Sequence, residues 1–283
     1  MESRIACNLL YEAVDQSYTA AAAGAYHLSV LICPSRVQLA VLDKSRLCYL
    51  GVKEYSSGIH QFYDFPELLR VLEKEEAWLG LSYDSIKIAF CSEKSLLVPS
   101  VFAREIDALS LTKHHFSAKP DEGLQKFPVP GMEAEIIQAI PNELVKWAAQ
   151  KSPNKFSVSQ VFLQQARLDG CSIRIAVLDA YVFLAIFDSS SLVFYNIFPF
   201  RSIEEAVYFI LFAIQQNQLD PLKVHALVSG EIEPGGELLT LMRKYIFQVE
   251  IQEKYQGYSL AQALSGSAQY RYSTLYSLYH CAS

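Results

Sequence analysis

Short runs of β-branched and aromatic residues broken by tight turns, then an apolar stripe at helical spacing, then one more short apolar run make a pattern that this chain carries twice. In the first copy, Tyr26 to Ile32, Arg36 to Leu42 and Leu47 to Tyr55 read as three strands of an antiparallel meander, turning at Cys33-Pro34-Ser35 and Asp43-Lys44-Ser45. Asp64 then offers an N-cap with Pro66 in the first turn, and Phe65, Leu68, Leu69 and Leu72 mark one face of a helix. Ser85 to Cys91 closes the copy as a strand whose unbroken apolar run suits burial. The second copy keeps the order: strands Ser172 to Leu178, Tyr181 to Phe187 and Leu192 to Phe198, a helix from Ile203 to Gln216, and a strand from Lys223 to Ser229.

The two copies align without a gap over residues 28–55 and 173–200, with Val37/Val182, Leu39/Leu184, Ala40/Ala185 and Asp43/Asp188 identical. From Phe65/Ile203 to Glu93/Glu231 they align again at a different offset, so the link between meander and helix is seven residues shorter in the second copy. The chain is an internal duplication. Ser202 caps the second helix, with Glu204 and Glu205 in its first turn where acids favour the dipole. The middle of that helix, Ala206 to Ile214, is apolar all round and predicts cover on more than one side.

Outside the repeat, Arg4 to about Gln16 reads as a helical lead, Leu97 to Ala103 opens a helix, and Lys113 to Phe127 is polar enough for a surface loop. Glu135 to Ile140 is a strand, Glu143 to Gln150 and Glu237 to Tyr245 are helices, and Phe247 to Ile251 is a strand. The predicted layout is a lead segment over residues 1–25, one lobe over 26–150, a connection over 151–170 and a second lobe over 171–283.

With 283 residues, 51% of them hydrophobic and 19% charged, the chain can fill real cores. A net charge of −6 without a Lys/Arg cluster argues against a nucleic-acid partner. The six cysteines (Cys7, Cys33, Cys48, Cys91, Cys171 and Cys281) have no CxxC or zinc-like spacing, and neither a signal peptide nor a membrane-length apolar run is visible. A cytoplasmic location without membrane insertion is the expectation.

Three antiparallel strands, a helix and a parallel strand, doubled, resemble the actin-like ATPase fold. In that fold two ribonuclease-H-like lobes, each a mixed α/β layer with an antiparallel meander flanked by helices, face each other across a nucleotide cleft. Leu96-Leu-Val-Pro99, Phe194-Tyr-Asn-Ile-Phe-Pro-Phe200, Val207-Tyr-Phe-Ile-Leu-Phe212, Leu219-Asp-Pro221, Leu227-Val-Ser-Gly230 and Leu278-Tyr-His-Cys281 resemble the Bacteroidetes family known as domain of unknown function 3822. That resemblance implies the actin-like fold and carries no activity with it.

In active members of the fold, each lobe's first hairpin holds an Asp-x-Gly turn that brings main-chain N–H groups to phosphate and an Asp to the metal. Here the first hairpin, Cys33-Pro34-Ser35-Arg36, has neither residue, and the second, Asp179-Ala180-Tyr181, has Tyr where Gly is wanted. A bulky side chain there disfavours the positive φ of a phosphate nest. The resulting expectation is a non-catalytic, pseudo-ATPase protein with no cofactor, no metal and no catalytic residue, working through an unknown protein partner. The alternative is a divergent nucleotide-binding protein or slow Mg-dependent ATPase. It would use ATP and Mg²⁺, with Asp179 toward the metal and Ser229, Gly230, Gly235 and Gly236 as the adenosine loop. Asp179 also suits an ordinary β-turn, and the glycines suit ordinary turns.

Other chemistry is thinner. His114-His115 has no third ligand at useful spacing, and solvated loop residues explain the pair. Cys33 beside Arg36 is a low-pKa thiol or a buried strand-end cysteine. Asp43 and Asp188 each begin an Asp-x-Ser hairpin, so their recurrence reflects duplicated turn chemistry. Aromatic residues concentrate in the second lobe (Phe194, Tyr195, Phe198, Phe200, Tyr208, Phe209 and Phe212), where core filling is the expectation. The tail tyrosines Tyr255, Tyr258, Tyr270, Tyr272, Tyr276 and Tyr279 are the better candidates for a partner surface.

Overall fold

The structure, a computed structural model, describes residues 8–56, 65–168, 173–189, 191–252, 257–266 and 268–281. Strands β1 (Asn8–Val14), β2 (Tyr26–Ile32), β3 (Arg36–Asp43) and β4 (Cys48–Ser56) are followed by helix α1 (Phe65–Glu75) and strand β5 (Ser85–Phe90). A smaller unit is then inserted: β6 (Ser95–Pro99), α2 (Ser100–Glu105), α3 (Ala108–Thr112), β7 (Glu122–Pro128) and β8 (Ala134–Pro141). Helix α4 (Asn142–Lys151), strand β9 (Lys155–Ser157) and helix α5 (Val158–Leu168) lead to the second half. It comprises β10 (Ile173–Leu178), β11 (Tyr181–Asp188), β12 (Ser191–Pro199), α6 (Ile203–Gln216), β13 (His225–Gly230), α7 (Glu237–Tyr245), β14 (Gln248–Ile251), β15 (Ser259–Leu260), α8 (Ala268–Arg271) and α9 (Ser273–Ser277).

The first sheet runs β1-β4-β3-β2-β5-β9, with β15 beside β4, and the second runs β12-β11-β10-β13-β14. In both, the meander strands pair antiparallel and the last two strands join parallel. The sequence repeat is thus a repeat of pairing, and the chain is a mixed α/β protein of two matching lobes. Parallel pairing also corrects the sequence alignment. Ile32 faces Phe90 and Val177 faces Gly230, so Phe90 corresponds to Gly230, and Cys91 rather than Glu93 corresponds to Glu231. The ungapped match slips by two residues within the helix-to-strand link, where one apolar run looks much like another.

Several expectations change. The lead is an edge strand, β1, not a helix: Leu9 to Val14 pair along β4, and that ladder overrides a weak local helical pattern. Leu97 lies in β6, and the helix starts only at Ser100, because residues 95–99 pair with β8. The polar stretch expected as a loop contains β7, which pairs with the other side of β8 and is anchored by Lys94–Glu122 at 2.7 Å. Segment 151–170 carries β9 and α5, and β9 extends the first sheet parallel to β5. Helix α6 is capped by Ser202, which accepts from the Glu205 N–H at 3.2 Å. It is covered on one side only, leaving Tyr208 (60%) and Phe212 (43%) exposed. The expected N-cap Asp64, the side chains of Phe65 and Pro66, and Cys7, Cys171, Ser190 and Tyr255 lie outside the described residues.

One apolar core joins both faces of the first sheet to α5 and the C-terminal segment, and a second fills the space between the second sheet, α6 and α7. Of the tail tyrosines, Tyr258, Tyr272, Tyr276 and Tyr279 belong to the first of these cores, and Tyr270 packs against the second. Tyr272 and Tyr276 are fully buried, Tyr276 packs on Tyr49 at 4.5 Å between ring centroids, and the Tyr49 hydroxyl donates to the Tyr276 carbonyl at 2.5 Å. Rather than forming a free partner surface, the tail straps the second lobe's chain back across the first. Lys87 fastens its end, donating to the carbonyls of Tyr279 and Cys281 at 2.6 and 2.7 Å. No helix among the described residues is long and apolar enough to cross a membrane.

Candidate functional site

The two equivalent hairpins meet tip to tip. In the first, Cys33 and Arg36 exchange main-chain hydrogen bonds (2.8 and 3.3 Å) around Pro34-Ser35, and neither of those two residues has a positive φ. In the second, Asp179 and Ala180 are the turn residues, at φ 50° and 64°, the double left-handed geometry of a two-residue hairpin. Tyr181 is not the strained residue: it begins β11, half-buried. Asn and Asp tolerate this conformation better than other non-glycine residues, so Asp179 is locally at home and Ala180 bears the cost.

Asp179 reaches across to the other lobe. Its Oδ2 accepts the Ser35 main-chain N–H at 2.9 Å, and its Oδ1 accepts the Ser35 hydroxyl. Arg36, the next residue, sends Nη1 to Glu231 Oε2 and to Glu54 Oε1, each at 3.0 Å, with Nε 3.8 Å from Asp179 Oδ1. Glu54, buried on β4, also receives Gln38 Nε2 at 3.2 Å, Arg271 Nη2 at 3.1 Å and the Tyr272 hydroxyl at 2.9 Å. Glu231 follows β13, held by its N–H on the Val177 carbonyl at 2.7 Å, and its Oε1 lies 3.4 Å from the Asp179 N–H. At the two hairpin tips the Ser35 and Asp179 main-chain N–H groups are thus directed at the protein's own carboxylates.

Three carboxylates thus share two guanidiniums where the lobes meet. Burial alone would raise the Glu54 carboxyl, but Arg271, Arg36 and Tyr272 together hold it below its usual range. Burial lifts the Glu231 carboxyl to about 7, with Arg36 opposing and the charge on Glu54 adding to the rise. With both arginines matched, the cluster presents no surplus positive charge to an anion.

Of the remaining candidates, Ser229 is buried in β13 opposite Ala176, and Gly230, at φ +94°, packs so tightly that a Cβ would fall 2.0 Å from the Val177 carbonyl. Its glycine is required by strand packing. Gly236 precedes α7 and donates its N–H to Glu233 at 2.9 Å, while Gly235 has open space around its Cα. The structure therefore brings Asp179 and Gly230 to the interlobe cluster through Glu231. It also adds Ser35, Arg36, Glu54, Glu231 and Arg271, which the sequence reading had not assembled. Cys33 and Cys91 are fully buried, and burial raises both thiols, Cys33 well above its usual range, so Cys33 is not the activated thiol considered from sequence. His114 and His115 are exposed after α3, and among the described residues no group of three or more His, Cys, Asp and Glu is placed to hold a metal. Asp43 caps its own turn, accepting from the Ser45 N–H, the Ser45 hydroxyl and Arg46 Nε at 2.9, 2.6 and 2.6 Å.

Comparison with known proteins agrees with the paired lobes. The profile of the family described as "Protein of unknown function (DUF3822)" matches residues 15–249, and the chain belongs to that family. A protein of unknown function with an actin-like ATPase fold from Bacteroides thetaiotaomicron superposes with a TM-score of 0.73 at 16% identity, covering 83% of this chain and 93% of that one. The PilM–PilN type IV pilus biogenesis complex gives 0.53 at 10% identity (89% and 97% covered). The ethanolamine utilization protein EutJ from Carboxydothermus hydrogenoformans gives 0.50 at 9% (91% and 90%). The fold is that of the actin-like ATPases. No curated protein matches the chain.

Proposed function

We propose that this protein is a pseudo-ATPase: an actin-like fold whose nucleotide cleft is closed by its own side chains and which serves as a cytoplasmic scaffold or regulatory partner for another protein. The observation carrying this is the Ser35–Asp179 contact, in which a carboxylate of the second lobe takes both the N–H and the hydroxyl of the first hairpin's turn. A phosphoryl-binding hairpin works by offering bare N–H groups. Here the acceptor is built in, and an incoming triphosphate would have to displace it while repelled by Asp179 and Glu54. The likeness to a component of the PilM–PilN complex is compatible with a role through protein contacts.

Thermal denaturation with and without millimolar ATP and Mg²⁺ tests the reading. A ligand at a hundred times its dissociation constant adds about 2.7 kcal/mol to stability. An unchanged melting temperature supports the closed cleft. A rise of several degrees revives the slow-ATPase alternative through Asp179.

A further inference from the structure

Five charged side chains from both lobes and the tail converge on one buried spot, and their charges do not balance. Glu231 pairs with Arg36 from β3 at 3.0 Å and lies 3.4 Å from the Asp179 N–H of the β10–β11 turn. Within electrostatic reach of it are Glu54 from β4, Arg271 from α8 and the thiols of Cys33 and Cys91 just past β2 and β5. Arg36 must serve Glu54, Asp179 and Glu231 at once, while Arg271 is committed to Glu54 at 3.1 Å. Fully ionised, the cluster holds three negative charges against two positive. Water is largely excluded, so the surplus charge is costly. Asp179 accepts both Ser35 donors and Glu54 accepts four donors, whereas Glu231 has the shared Arg36 Nη1 at 3.0 Å and the Asp179 N–H at 3.4 Å. Glu231 is therefore the member with the weakest donor support and the one best placed to give up its charge.

We propose that the lobes close on a proton: the cluster of Arg36, Glu54, Asp179, Glu231 and Arg271 holds the cleft shut most firmly when Glu231 is protonated and slackens as that proton is lost. The device rests on the closed-cleft reading but not on which partner the protein serves. The elevated Glu231 carboxyl fits it. A group whose acidity is weakened by closure stabilises the closed form fully below its ordinary range, near 4.5, and this is lost as the pH climbs through about 7. Closing is therefore expected to weaken at least about tenfold between pH 5 and 7.5.

The test is thermal melting of the full chain and of Glu231→Gln at pH 5 and pH 7.5. Glutamine imitates the protonated side chain, so the two proteins should melt together at pH 5, and the variant should melt a few degrees higher at pH 7.5. Taking the difference between the two proteins cancels every other titrating group. A difference that is the same at both pH values, or a variant less stable at pH 7.5, overturns the proposal. If the variant does not fold, NMR titration of the Glu231 carboxyl in the wild-type chain decides: a midpoint near 7 supports it and one near the ordinary carboxylate value refutes it. Neither readout involves nucleotide, so a protein that binds ATP could still pass, and one that ignores ATP could still fail.

Discussion

Ser35 and Asp179 stand at corresponding hairpins of two duplicated lobes, 144 residues apart, and Ser35 donates both its main-chain N–H and its hydroxyl to the Asp179 carboxylate. Replacing Asp179 by Ala leaves those donors and part of Arg36 without an acceptor in a largely buried place. The expected loss is about 1–3 kcal/mol in urea denaturation. Asp179→Asn keeps one acceptor oxygen and should cost less.

Removing Arg36 should be worse than removing Asp179, because Glu54 is fully buried and Glu231 nearly so. Arg36→Ala takes the guanidinium from Glu231 and one of the four donors from Glu54, and a loss of about 3–5 kcal/mol is expected, measurable as a fall in the denaturation midpoint. A loss below about 1 kcal/mol would mean that water reaches the cluster freely.

The glycines should separate cleanly. Gly230→Ala places a methyl group against the Val177 carbonyl at a φ of +94°, so the variant should lose about 4 kcal/mol or fail to fold. Gly235 has nothing within 4 Å of a built Cβ, and Gly235→Ala should change stability by no more than about 0.5 kcal/mol. Expression level and melting temperature of the two variants report the contrast.

His27 is buried between Ser29 and Ser85, and burial with nearby Lys87 lowers its pKa to about 3. A lowered histidine is neutral in the fold and charges more readily once unfolded. Its contribution is intact above 6.5 and erodes as the pH falls toward 3. Against His27→Gln, the wild-type chain should therefore lose ground below pH 6.5, by at most about 1.4 kcal/mol per pH unit. This slope opposes that of Glu231 over part of the same range, so the bare pH–stability curve will be flatter than either effect alone.

The tail is structural. Tyr276→Ala empties a fully buried ring site and should cost about 3–5 kcal/mol. Tyr272→Phe keeps the ring and removes one donor from Glu54, for about 1–2 kcal/mol. Chemical denaturation distinguishes the two.

The meander strands and α6 were legible because their apolar positions repeat with a strict period and because the chain supplies its own second copy for comparison. Strands β1 and β7 were not, since each forms by pairing along a neighbour that is already built, and their own residues have little strand preference. Asp179 was visible as a turn residue, but its partner was not. Arg36 and Glu231 lie 195 positions apart, and nothing local to either hints at the other. The usable signal was an unbalanced pair of turns: a donor-rich Ser-Arg tip in one copy and an acidic tip in the corresponding place of the other. The tail tyrosines misled because a run of polar-tipped aromatics has the same composition whether it meets a partner or its own chain.

Hydrogen–deuterium exchange resolved at the Ser35 amide, with and without ATP and Mg²⁺, tests most directly whether the cleft is closed by the protein itself. Strong protection in the nucleotide-free chain, unchanged by nucleotide and lost in Asp179→Ala, is the predicted result. Fast exchange in the free chain that slows when nucleotide is added would contradict the account.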